Sequence, residues 1–406
     1  MTKITLIGDI MCEPLLMKAA KRESVFDFNN LFNNDVVSLF KDSDYVIGNL
    51  ETPLAGEHAG YCNNLYSFNA PDEFAEALKN AGIDFVTTSN NHCLDRGYEG
   101  LKRTLEILDK FGIKHCGTSL QNESRIGYFN IDNKRFALVC GTYGTNFTDN
   151  HESIPSEHPE CVNMLRAQDE IPFYKTCQRH IPKYKNKVSM LARVIKKVMR
   201  KIGIAPWKIQ QVNKLFHQDQ TIPYPDNSRE GELPSQFTSL FLNDLKKAKG
   251  NADYVIFYPH IGGQFNSEPG SFSNYIVNLA AKSNLCDVIV SSHPHVVQKA
   301  VFIAGIPCFY SLGNFNMSPN SYYIPDESRT DLGIAVHLYF YDGTLNKVTY
   351  SILRMVENRR QMMRVEVLDV CNRSDSDCNY IIDLVNGEKE FEIENNEVVF
   401  YIRSKK

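Results

Sequence analysis

The feature that most constrains the fold of this chain is a repeated alternation of short β-rich runs with amphipathic helical runs. Seven runs predict strands: Ile4–Ile7, Tyr45–Gly48, Phe85–Thr88, Phe136–Cys140, Tyr254–Tyr258, Val288–Val290 and Cys308–Tyr310. Helical spacing predicts helices over Asp72–Ala81, Tyr98–Phe111, Gln236–Lys249 and Ser273–Asn284. Such alternation is typical of an α/β protein whose mixed or parallel sheet is covered by helices on both faces. Two later runs, Gly333–Phe340 and Lys347–Arg354, predict antiparallel strands that close the fold.

Polar side chains follow these strands directly, at the point where each strand ends. They are Asp9, Asn49, Glu51, Asn90, Asn91, His92, Asp95, His260, His293, His295 and Asn314. In open α/β sheets, binding sites form beyond the carboxyl ends of the strands. Because separate segments deliver acids, asparagines and histidines to this one edge, packing alone is a poor explanation. We therefore expect a functional site there.

The residue types at this edge suit a metal site. Carboxylate oxygens, amide oxygens and imidazole nitrogens are the mixed ligands that manganese, iron and zinc prefer. Two such ions that share a carboxylate can clamp a phosphoryl group and activate water, and a histidine outside the ligand set can protonate the leaving oxygen. His293 and His295 give the sharpest signal, because positions i and i+2 of an extended segment face the same side. We predict a divalent transition metal as cofactor: manganese, iron or zinc.

Each of these residues also has an ordinary structural interpretation. Asp9 could be a turn residue or a helix cap, Glu51 could be a capping or surface acid, and Asn91 and Asp95 could form turns. His260 could be a hydrogen-bonded core histidine, and His92 could be a ligand, a proton donor or a core residue. The residue types alone leave these alternatives open.

The formal net charge of −4 conceals an uneven distribution of charge. Residues 171–218 carry twelve Lys or Arg and no acid, whereas the remainder of the chain is acidic overall. Within this segment, apolar residues at helical spacing predict a basic amphipathic helix over 186–203. Its basic side chains could contact an anionic lipid surface or polymer. Alternatively, its apolar stripe could pack on the body and leave the lysines in solvent.

The chain divides into three predicted regions. Residues 1–142 and 236–358 form one α/β domain, residues 143–235 form a large basic helical insertion, and residues 359–406 form a small β-rich appendage. No run reaches the ~18 apolar residues that a membrane helix needs, and the amino-terminal residues lack the pattern of a signal peptide. We therefore expect a cytoplasmic protein, with peripheral contact at the inner face of the membrane through 186–203.

Six motifs, taken in order, resemble those of a known family. They are Gly8-Asp9-Ile10-Met11, Asn49-Leu50-Glu51-Thr52-Pro53-Leu54, Asn90-Asn91-His92-Cys93-Leu94-Asp95-Arg96-Gly97, His260-Ile261-Gly262, Ser292-His293-Pro294-His295-Val296-Val297-Gln298 and Tyr310-Ser311-Leu312-Gly313-Asn314-Phe315. The chain thereby resembles the capsule-synthesis protein CapA family, which is linked to poly-γ-glutamate capsules and belongs to the calcineurin-like metallophosphoesterase superfamily. The resemblance covers residues 1–142 and 236–340. It implies a metallophosphoesterase-like β-sandwich flanked by helices, with the basic insertion added to it.

The resemblance also implies a role for each motif residue. The implied metal ligands are Asp9 and His295 for one ion, Asn91, His260 and His293 for a second ion, and Glu51 in the bridging position. The implied proton-donor pair is His92 and Asp95, and the implied substrate-binding residues are Asn49, Asn90 and Asn314. Two positions depart from the pattern of relatives. Met11 stands where phosphoesterases of the superfamily carry a histidine ligand, and Gln264 stands where the family motif His-Trp-Gly-x-Glu has its glutamate.

Three functions are compatible with these residues. The first is a metal-dependent hydrolase or transferase that acts on a phosphoester, or on an amide or ester of an anionic cell-envelope polymer such as poly-γ-glutamate or a polysaccharide. The second is a non-catalytic assembly or export factor that binds such a polymer, and the third is a nucleic-acid phosphoesterase. The acidic body of the chain and the lack of a recognised nucleic-acid module make nucleic acid the least expected partner.

Overall fold

The computed structural model describes most of the predicted α/β domain. The described residues are 1–61, 67–120, 124–168, 198, 226–229, 231–318, 321, 328–341, 344–357, 363–372, 374–387 and 390–402. The predicted basic helix over 186–203 therefore lies outside the described residues, except for Val198. Among the helices of the described ranges, none is long and apolar enough to cross a membrane.

Strands dominate the described part of the chain. They are β1 (Thr2–Ile10), β2 (Lys21–Arg22), β3 (Val25–Phe26), β4 (Tyr45–Leu50), β5 (Phe85–Thr87), β6 (Lys114–Cys116), β7 (Gly127–Ile131), β8 (Lys134–Thr142), β9 (Tyr254–His260), β10 (Val288–Val290), β11 (Ala300–Ile303), β12 (Ile306–Phe309), β13 (Asn314–Asn316), β14 (Leu332–Tyr341), β15 (Thr344–Glu357), β16 (Met363–Val367), β17 (Glu392–Glu394) and β18 (Glu397–Ile402). Every residue of β1 and of β9 is buried, as expected for strands that are covered on both faces.

The helices begin and end where the local sequence directs them. The described helices are α1 (Pro14–Ala20), α2 (Asn34–Lys41), α3 (Asp72–Ala81), α4 (Gly97–Lys110), α5 (Phe147–Asn150), α6 (Gln236–Asn251), α7 (Ser271–Ser283) and α8 (Ser376–Asn386). In α3, Asp72 and Glu73 occupy the first turn, where a negative charge interacts favourably with the positive end of the helix dipole. Gly82 ends this helix with a φ of 107°, a conformation that glycine adopts readily. Ser235 and Thr238 form a capping box at the start of α6.

The described strands form two large sheets and a two-stranded ribbon. The first sheet has the order β17-β18-β15-β14-β1-β4-β5-β6, with β13 paired to β1 and β16 paired to β15. The second sheet has the order β11-β12-β10-β9-β8-β7. Strands β1, β4, β5 and β6 run parallel, and so do β8, β9, β10 and β12. Each sheet therefore has a parallel region whose carboxyl ends share one edge.

The two sheets pack face to face, and helices cover their outer faces. The cluster between the sheets contains Ile4, Leu6 and Ile47 from the first sheet and Leu138, Ile256 and Val290 from the second. Helices α3 and α4 cover the first sheet through Phe74, Leu78, Leu101 and Leu105. Helices α6 and α7 cover the second sheet through Phe241, Leu245, Ile276 and Val277. The predicted α/β class, a β-sandwich flanked by helices, is confirmed.

The individual elements also follow the sequence pattern closely. Each of the seven predicted strands overlaps an observed strand, and α3 has the predicted bounds Asp72–Ala81. Strands β14 and β15 pair antiparallel, as predicted for the runs after Asp331. One difference concerns Asn314, which lies in the short strand β13 rather than in a loop, because β13 pairs with the end of β1.

Two regions outside the predicted α/β domain can be placed in part. In the described residues 143–168, Cys161, Val162 and Met164 are buried in the cluster on the helical side of the first sheet. Residues 363–402 supply β16, β17 and β18, which all extend the first sheet. Helix α8 buries Ile381 in the cluster between the two sheets. The carboxyl-terminal segment thus continues the sheet and its core.

The carboxyl end of β1 passes very close to the start of β13. A Cβ atom at Gly8 would lie 1.9 Å from the carbonyl oxygen of Gly313, so only glycine permits this approach. The backbone N–H of Asp9 donates to the same carbonyl oxygen at 3.1 Å. As a result, Asn314 lies in register with Asp9 at the edge where the parallel strands end.

Candidate metal centre

The polar residues predicted from the strand ends all meet at one place. The first sheet supplies Asp9 at the end of β1, Asn49 and Glu51 at the end of β4, and the loop 90–95 after β5. The second sheet supplies His260 at the end of β9 and the turn 293–295 after β10. All eleven predicted side chains are buried, with exposures of 4% or less. The structure therefore brings together every site residue that the sequence predicted.

Two clusters of ligand atoms lie side by side here and share Glu51. The first comprises Asp9, Glu51 and His295, and the second comprises Glu51, His260 and His293; within each, the ligand atoms lie within 4.8 Å of one another. Glu51 Oε1 lies 3.8 Å from His295 Nε2 and 3.5 Å from His260 Nε2. His295 Nδ1 lies 3.6 Å from Asp9 Oδ2. A two-metal site would use a carboxylate shared in this way, and the assignment of these residues to two ions stays a prediction.

The carboxylate of Glu51 lacks a hydrogen-bond donor in the part of the chain that the structure describes. Both of its oxygens are buried without a hydrogen-bond partner among the described residues, and so is Nδ1 of His293. Burial and then the neighbouring Asp9 raise the pKa of Glu51 to about 8. Buried polar groups almost always have partners, because leaving one unpaired costs ~1–3 kcal/mol. Divalent cations would give all three atoms a partner, so the residues present fit a metal centre.

Burial keeps two of the histidines neutral, and hydrogen bonds fix ring orientation. Burial lowers the pKa of His260 to about 4. Burial and then the neighbouring histidines lower the pKa of His293 well below its ordinary value. His260 Nδ1 lies 3.1 Å from Ser292 Oγ, and His295 Nδ1 lies 2.9 Å from Asn314 Oδ1. Contacts of this kind fix a ligand ring and direct its other nitrogen toward a metal.

The segment that carries His293 and His295 is a turn. The two residues have φ angles of 111° and 58°, in the left-handed region that is strained for side chains other than glycine. This differs from the extended geometry predicted from the i, i+2 spacing, although the rings still meet, with 5.8 Å between their centroids. The backbone N–H of His293 donates to Asp9 Oδ2 at 3.0 Å, which ties the turn to β1. Strained backbone that its surroundings enforce is concentrated at functional sites.

The loop after β5 brings Asn91 to the second cluster. Its Oδ1 atom lies 2.7 Å from His260 Nε2. The other end of the same amide points away, and Asn91 Nδ2 donates to Asn146 Oδ1 at 3.2 Å. Amide oxygens are ligands for divalent cations, so Asn91 lies where its predicted role requires.

Three further asparagines are engaged within the protein. Asn49 Nδ2 donates to Asp9 Oδ1 at 2.8 Å, and Asn90 Nδ2 donates to the last backbone carbonyl of β4 at 2.7 Å. Asn314 Nδ2 donates to the carbonyl oxygen of His295 at 3.1 Å. These contacts orient an acid, a strand end and the histidine turn. The predicted contact of the three amides with substrate stays a prediction.

His92 and Asp95 form a buried pair beside the two clusters. His92 Nδ1 lies 2.7 Å from Asp95 Oδ2, and His92 Nε2 lies 3.9 Å from Glu51 Oε1. Burial disfavours the charged ring, but Asp95 and then Glu51 raise the pKa of His92 above its ordinary value. A protonated imidazole with one nitrogen facing the clusters has the geometry of a general acid.

Met11 contributes an apolar wall to this site. It packs with Phe68 and Met317 in a small apolar cluster, and the ring of Phe68 lies 4.5 Å from that of His92, measured between centroids. Asn316 holds Met11 in place, because its side chain accepts from the backbone N–H at 3.1 Å and donates to the carbonyl oxygen at 2.6 Å. The side chain at position 11 therefore presents carbon and sulfur and offers no nitrogen ligand.

Three side chains of the site lie in the region predicted as an insertion. They are Tyr143, Asn146 and Asn150, which contact His293, Asn91 and Asp95 respectively. Strand β8 ends at Thr142, in register with His260, so this segment follows a strand of the same edge. Site residues were predicted from their position after the carboxyl ends of strands. If this criterion is applied beyond the domain boundary predicted at residue 143, it includes all three residues.

Curated relatives are similar to most of this chain. One is "Capsule biosynthesis protein CapA" from Bacillus anthracis, with 26% identity over 318 residues, covering 77% of this chain and 59% of the relative. Another is "PGA biosynthesis protein CapA" from Bacillus subtilis (strain 168), with 23% identity over 316 residues, covering 76% of this chain and 61% of the relative. The chain thus spans about three fifths of the length of these relatives.

Solved structures show more distant likenesses. A hypothetical protein from Thermus thermophilus aligns with a TM-score of 0.43 and 12% identity, over 87% of this chain and 99% of that chain. The calcineurin-like phosphoesterase YfkN from Bacillus subtilis aligns with a TM-score of 0.38 and 12% identity, over 86% of this chain and 90% of that chain. Both TM-scores lie below 0.5, so neither likeness bears on activity.

A family match covers most of the chain. Residues 3–318 match the family described as "Bacterial capsule synthesis protein PGA_cap". The matched range contains both ligand clusters and the pair His92–Asp95. The chain therefore belongs to the bacterial capsule synthesis protein family PGA_cap.

Proposed function

We propose that the chain is a metal-dependent hydrolase of the phosphoesterase type that works in the synthesis of a capsule or another cell-envelope polymer. Glu51 carries this proposal, because its two buried oxygens have no hydrogen-bond partner among the described residues and belong to both ligand clusters. A glutamate with a purely structural role would have its carboxylate paired with donors. Family membership supports the polymer context.

The ligand set follows from the two clusters. Asp9 and His295 would hold one ion, the second would be held by Asn91, His260 and His293, and Glu51 would contact both. Manganese, iron or zinc bound there would supply Lewis-acid stabilisation of a phosphoryl oxygen and activation of water. Neutral imidazoles with carboxylate and amide oxygens suit all three metals.

The protein's own side chains would handle the proton. Asp95 holds a proton on His92 Nδ1 through a 2.7 Å hydrogen bond, so His92 Nε2 is the nitrogen that faces Glu51. Although burial acts in the opposite sense, Asp95 and Glu51 raise the pKa of His92 above its ordinary value, which favours the protonated ring. His92 is thus set to protonate the oxygen that leaves. Phe68 packs against its ring and holds it in this orientation.

The substrate class we propose is an anionic cell-envelope polymer, such as poly-γ-glutamate or a polysaccharide, or a phosphorylated precursor of one. The Bacillus subtilis relative is named a PGA biosynthesis protein, and this chain spans 61% of it. The basic residues 171–218 suit an anionic polymer or lipid surface. We extend the proposal to peripheral contact of 186–203 with the cytoplasmic face of the membrane. Nucleic acid is the least favoured partner, because the rest of the chain is acidic.

Turnover by the metal-loaded protein tests the proposal. Protein reconstituted with manganese, iron or zinc should hydrolyse a chromogenic phosphomonoester or phosphodiester, and a chelator should abolish the reaction. The substitution His92→Gln should lower the rate by ~10²–10⁴-fold at unchanged metal content, because it removes only the general acid. His58→Gln is the matched control, since His58 is an exposed surface histidine. Failure to turn over with every metal would contradict the hydrolase, and full activity of His92→Gln would contradict the assigned donor.

A non-catalytic assembly or export factor is the second candidate. Met11 favours it, because the residue at this position is buried in an apolar cluster and offers the first metal cluster no nitrogen ligand. Such a factor would bind metal and poly-γ-glutamate equally well in the wild type and in His92→Gln, and it would release no product. Equilibrium binding of the polymer, measured together with analysis of its chain length, separates the two functions.

A further inference from the structure

The segment that follows β8 folds back against the two ligand clusters. It passes through Thr145, which is buried, and continues into the short helix α5. Gln168 donates to the hydroxyl of Thr145, and Asn150 donates to its carbonyl oxygen at 2.9 Å. These contacts fix the turn whose first residue is Asn146. None of the sequence motifs includes this turn.

Asn146 determines which end of the Asn91 amide faces the metal centre. Its Oδ1 atom accepts the hydrogen bond from Asn91 Nδ2 at 3.2 Å. With the nitrogen held on that side, Asn91 Oδ1 lies 2.7 Å from His260 Nε2, within the second cluster. An amide nitrogen has no lone pair to offer a cation, so the reverse orientation would remove a ligand.

The same turn contacts the proton-donor pair. Asn146 Nδ2 lies 3.4 Å from each ring nitrogen of His92. Asn150 Nδ2 donates to Asp95 Oδ1 at 3.2 Å. One side chain, that of Asn146, therefore touches both a predicted ligand and the predicted general acid.

The backbone of Asn146 explains why a small polar residue stands there. Its φ and ψ angles are 53° and 27°, in the left-handed helical region. Asparagine, aspartate and glycine adopt this conformation more readily than other residues do. Substitution by aspartate or glycine therefore changes the side chain without forcing the turn into a new conformation.

We propose that Asn146 is a positioning residue of the metal centre: its amide oxygen holds Asn91 with Oδ1 turned toward His260. The inference rests on the proposed metal-dependent function and deepens it. Because Asn146 acts through Asn91, it affects the second ion and leaves the first ion, held by Asp9 and His295, unchanged.

Manganese titration of the metal-free protein tests this role without any assay of activity. The wild type, followed by calorimetry and by electron paramagnetic resonance, should bind two ions. Asn146→Gly removes the acceptor and should weaken the second ion by ~10–100-fold, the usual effect of losing a group that orients a ligand, with the first ion unaffected. Asn146→Asp keeps an oxygen that accepts from Asn91 Nδ2, so it should restore the affinity of the second ion. Thr148→Ala is the matched control, because Thr148 lies on the same turn and its side chain donates to Asp149.

The outcomes separate this inference from the function on which it rests. Two tight ions in Asn146→Gly would overturn the inference alone, and so would an Asn146→Asp protein that binds the second ion as weakly as Asn146→Gly. Failure of the wild type to bind any metal would overturn the proposed function, and the positioning role with it. Unfolding curves of each variant identify a loss of metal that comes from a loss of fold.

Discussion

The buried carboxyl group of Glu51 lowers the stability of the metal-free fold, as residues of functional sites often do. Burial and the neighbouring Asp9 raise the pKa of Glu51 to about 8, so near neutral pH the metal-free protein either holds a proton on this carboxyl or bears a buried charge that accepts no hydrogen bond from the described residues. Both states are less favourable than an exposed glutamate. Residues that reduce stability in this way are typical of functional sites, and a bound cation would offset the cost here.

At the residue scale, the substitution Asp95→Asn should lower the pKa of His92, because it removes a negative charge that lies close to the ring. In the wild type that carboxylate is 2.7 Å from His92 Nδ1. The sign is fixed by electrostatics: loss of a neighbouring anion destabilises the protonated imidazole. The ring-proton chemical shifts of metal-free protein, followed against pH, give the pKa of His92 in both forms.

A matched control for this titration is available on the surface. Asp109 lies 3.3 Å from His115 Nε2 in an exposed pair, and Asp109→Asn should leave the titration of His92 unchanged. An unaltered pKa for His92 in Asp95→Asn would show that Asp95 does not hold the proton of that ring.

The sequence predicted most of the site at this scale, and one rule accounts for the success. Asp9, His260 and their partners lie at or just beyond the ends of strands, and strand ends meet at one edge whatever the details of packing. Two features could not be read from the sequence. The turn geometry of His293 depends on a tertiary hydrogen bond to Asp9, and the contact of Asn146 with Asn91 joins residues 55 positions apart in the chain.

At the scale of elements, the pairing of β18 with β15 joins the end of the chain to its beginning. Glu397 at the start of β18 accepts from Lys3 Nζ of β1 at 2.8 Å and from Tyr339 OH of β14 at 2.7 Å. Burial opposes ionisation of Glu397, but His337, Lys3 and the hydrogen bonds lower its pKa to about 2. The ionised carboxylate therefore stabilises the fold at pH values above the ordinary pKa of glutamate. This contribution to stability is lost as the pH falls toward 2.

The substitution Glu397→Gln should destabilise the protein by ~3 kcal/mol, because removing one partner of a buried ion pair leaves the other uncompensated. Both side chains of the Lys3–Glu397 pair are only 7% exposed. The free energy of unfolding in urea at pH 7 measures the effect. Lys347–Glu394 is a more exposed pair in the same sheet, so Glu394→Gln should cost less than ~1 kcal/mol. Equal effects of the two substitutions would mean that β18 is not part of the cooperative core.

The strands and helices could be predicted from the sequence where the hydrophobic periodicity is strong. The pairing of strands that lie far apart in the chain could not be predicted. The runs that became β1, β9 and α3 are long or well bounded, so their positions follow from local sequence. The pairing of β13 with β1 depends on close approach of Gly8 to Gly313, which no local pattern encodes. Likewise, nothing in residues 363–402 alone shows that they extend a sheet begun at Thr2.

At the scale of the whole molecule, the proposed metal centre lies where the parallel regions of two sheets end together. Asp9 and Glu51 come from the first sheet, and His260 and His293 from the second. Neither sheet holds a complete cluster of acids and histidines, since each cluster draws on both. Metal binding should therefore stabilise the packing of one sheet on the other, in addition to satisfying individual side chains.

The stability of the metal-free protein should fall as the pH rises from about 6.5 to 8, by ~2 kcal/mol. Over this range the folded state keeps a proton on Glu51, with its pKa of about 8, whereas the unfolded chain does not. The raised pKa of His92 also makes the stability fall as the pH rises. The lowered pKa values of His260 and His293 act in the opposite sense, but only below the ordinary histidine value of 6.5.

Urea unfolding of chelated protein at several pH values measures this slope. Glu51→Gln should flatten most of it and raise the stability of the metal-free protein at pH 8, because the group that titrates has been removed. In the wild type, saturating manganese should make the stability rise with pH over this range, because the ligands bind metal better when they are deprotonated. A metal-free wild type whose stability is constant or rises over this range would show that Glu51 is not protonated in the folded state.

Metal stoichiometry tests the shared-carboxylate centre most directly. Wild-type protein is reconstituted with manganese, freed of unbound metal and submitted to elemental analysis beside Glu51→Gln and the exposed control Glu57→Gln. We expect two ions per chain in the wild type and in Glu57→Gln, and fewer than two in Glu51→Gln, because only Glu51 belongs to both clusters. A wild type that retains no manganese, iron or zinc would contradict the metal centre, and a Glu51→Gln protein that retains two ions as tightly would contradict the bridging role of Glu51.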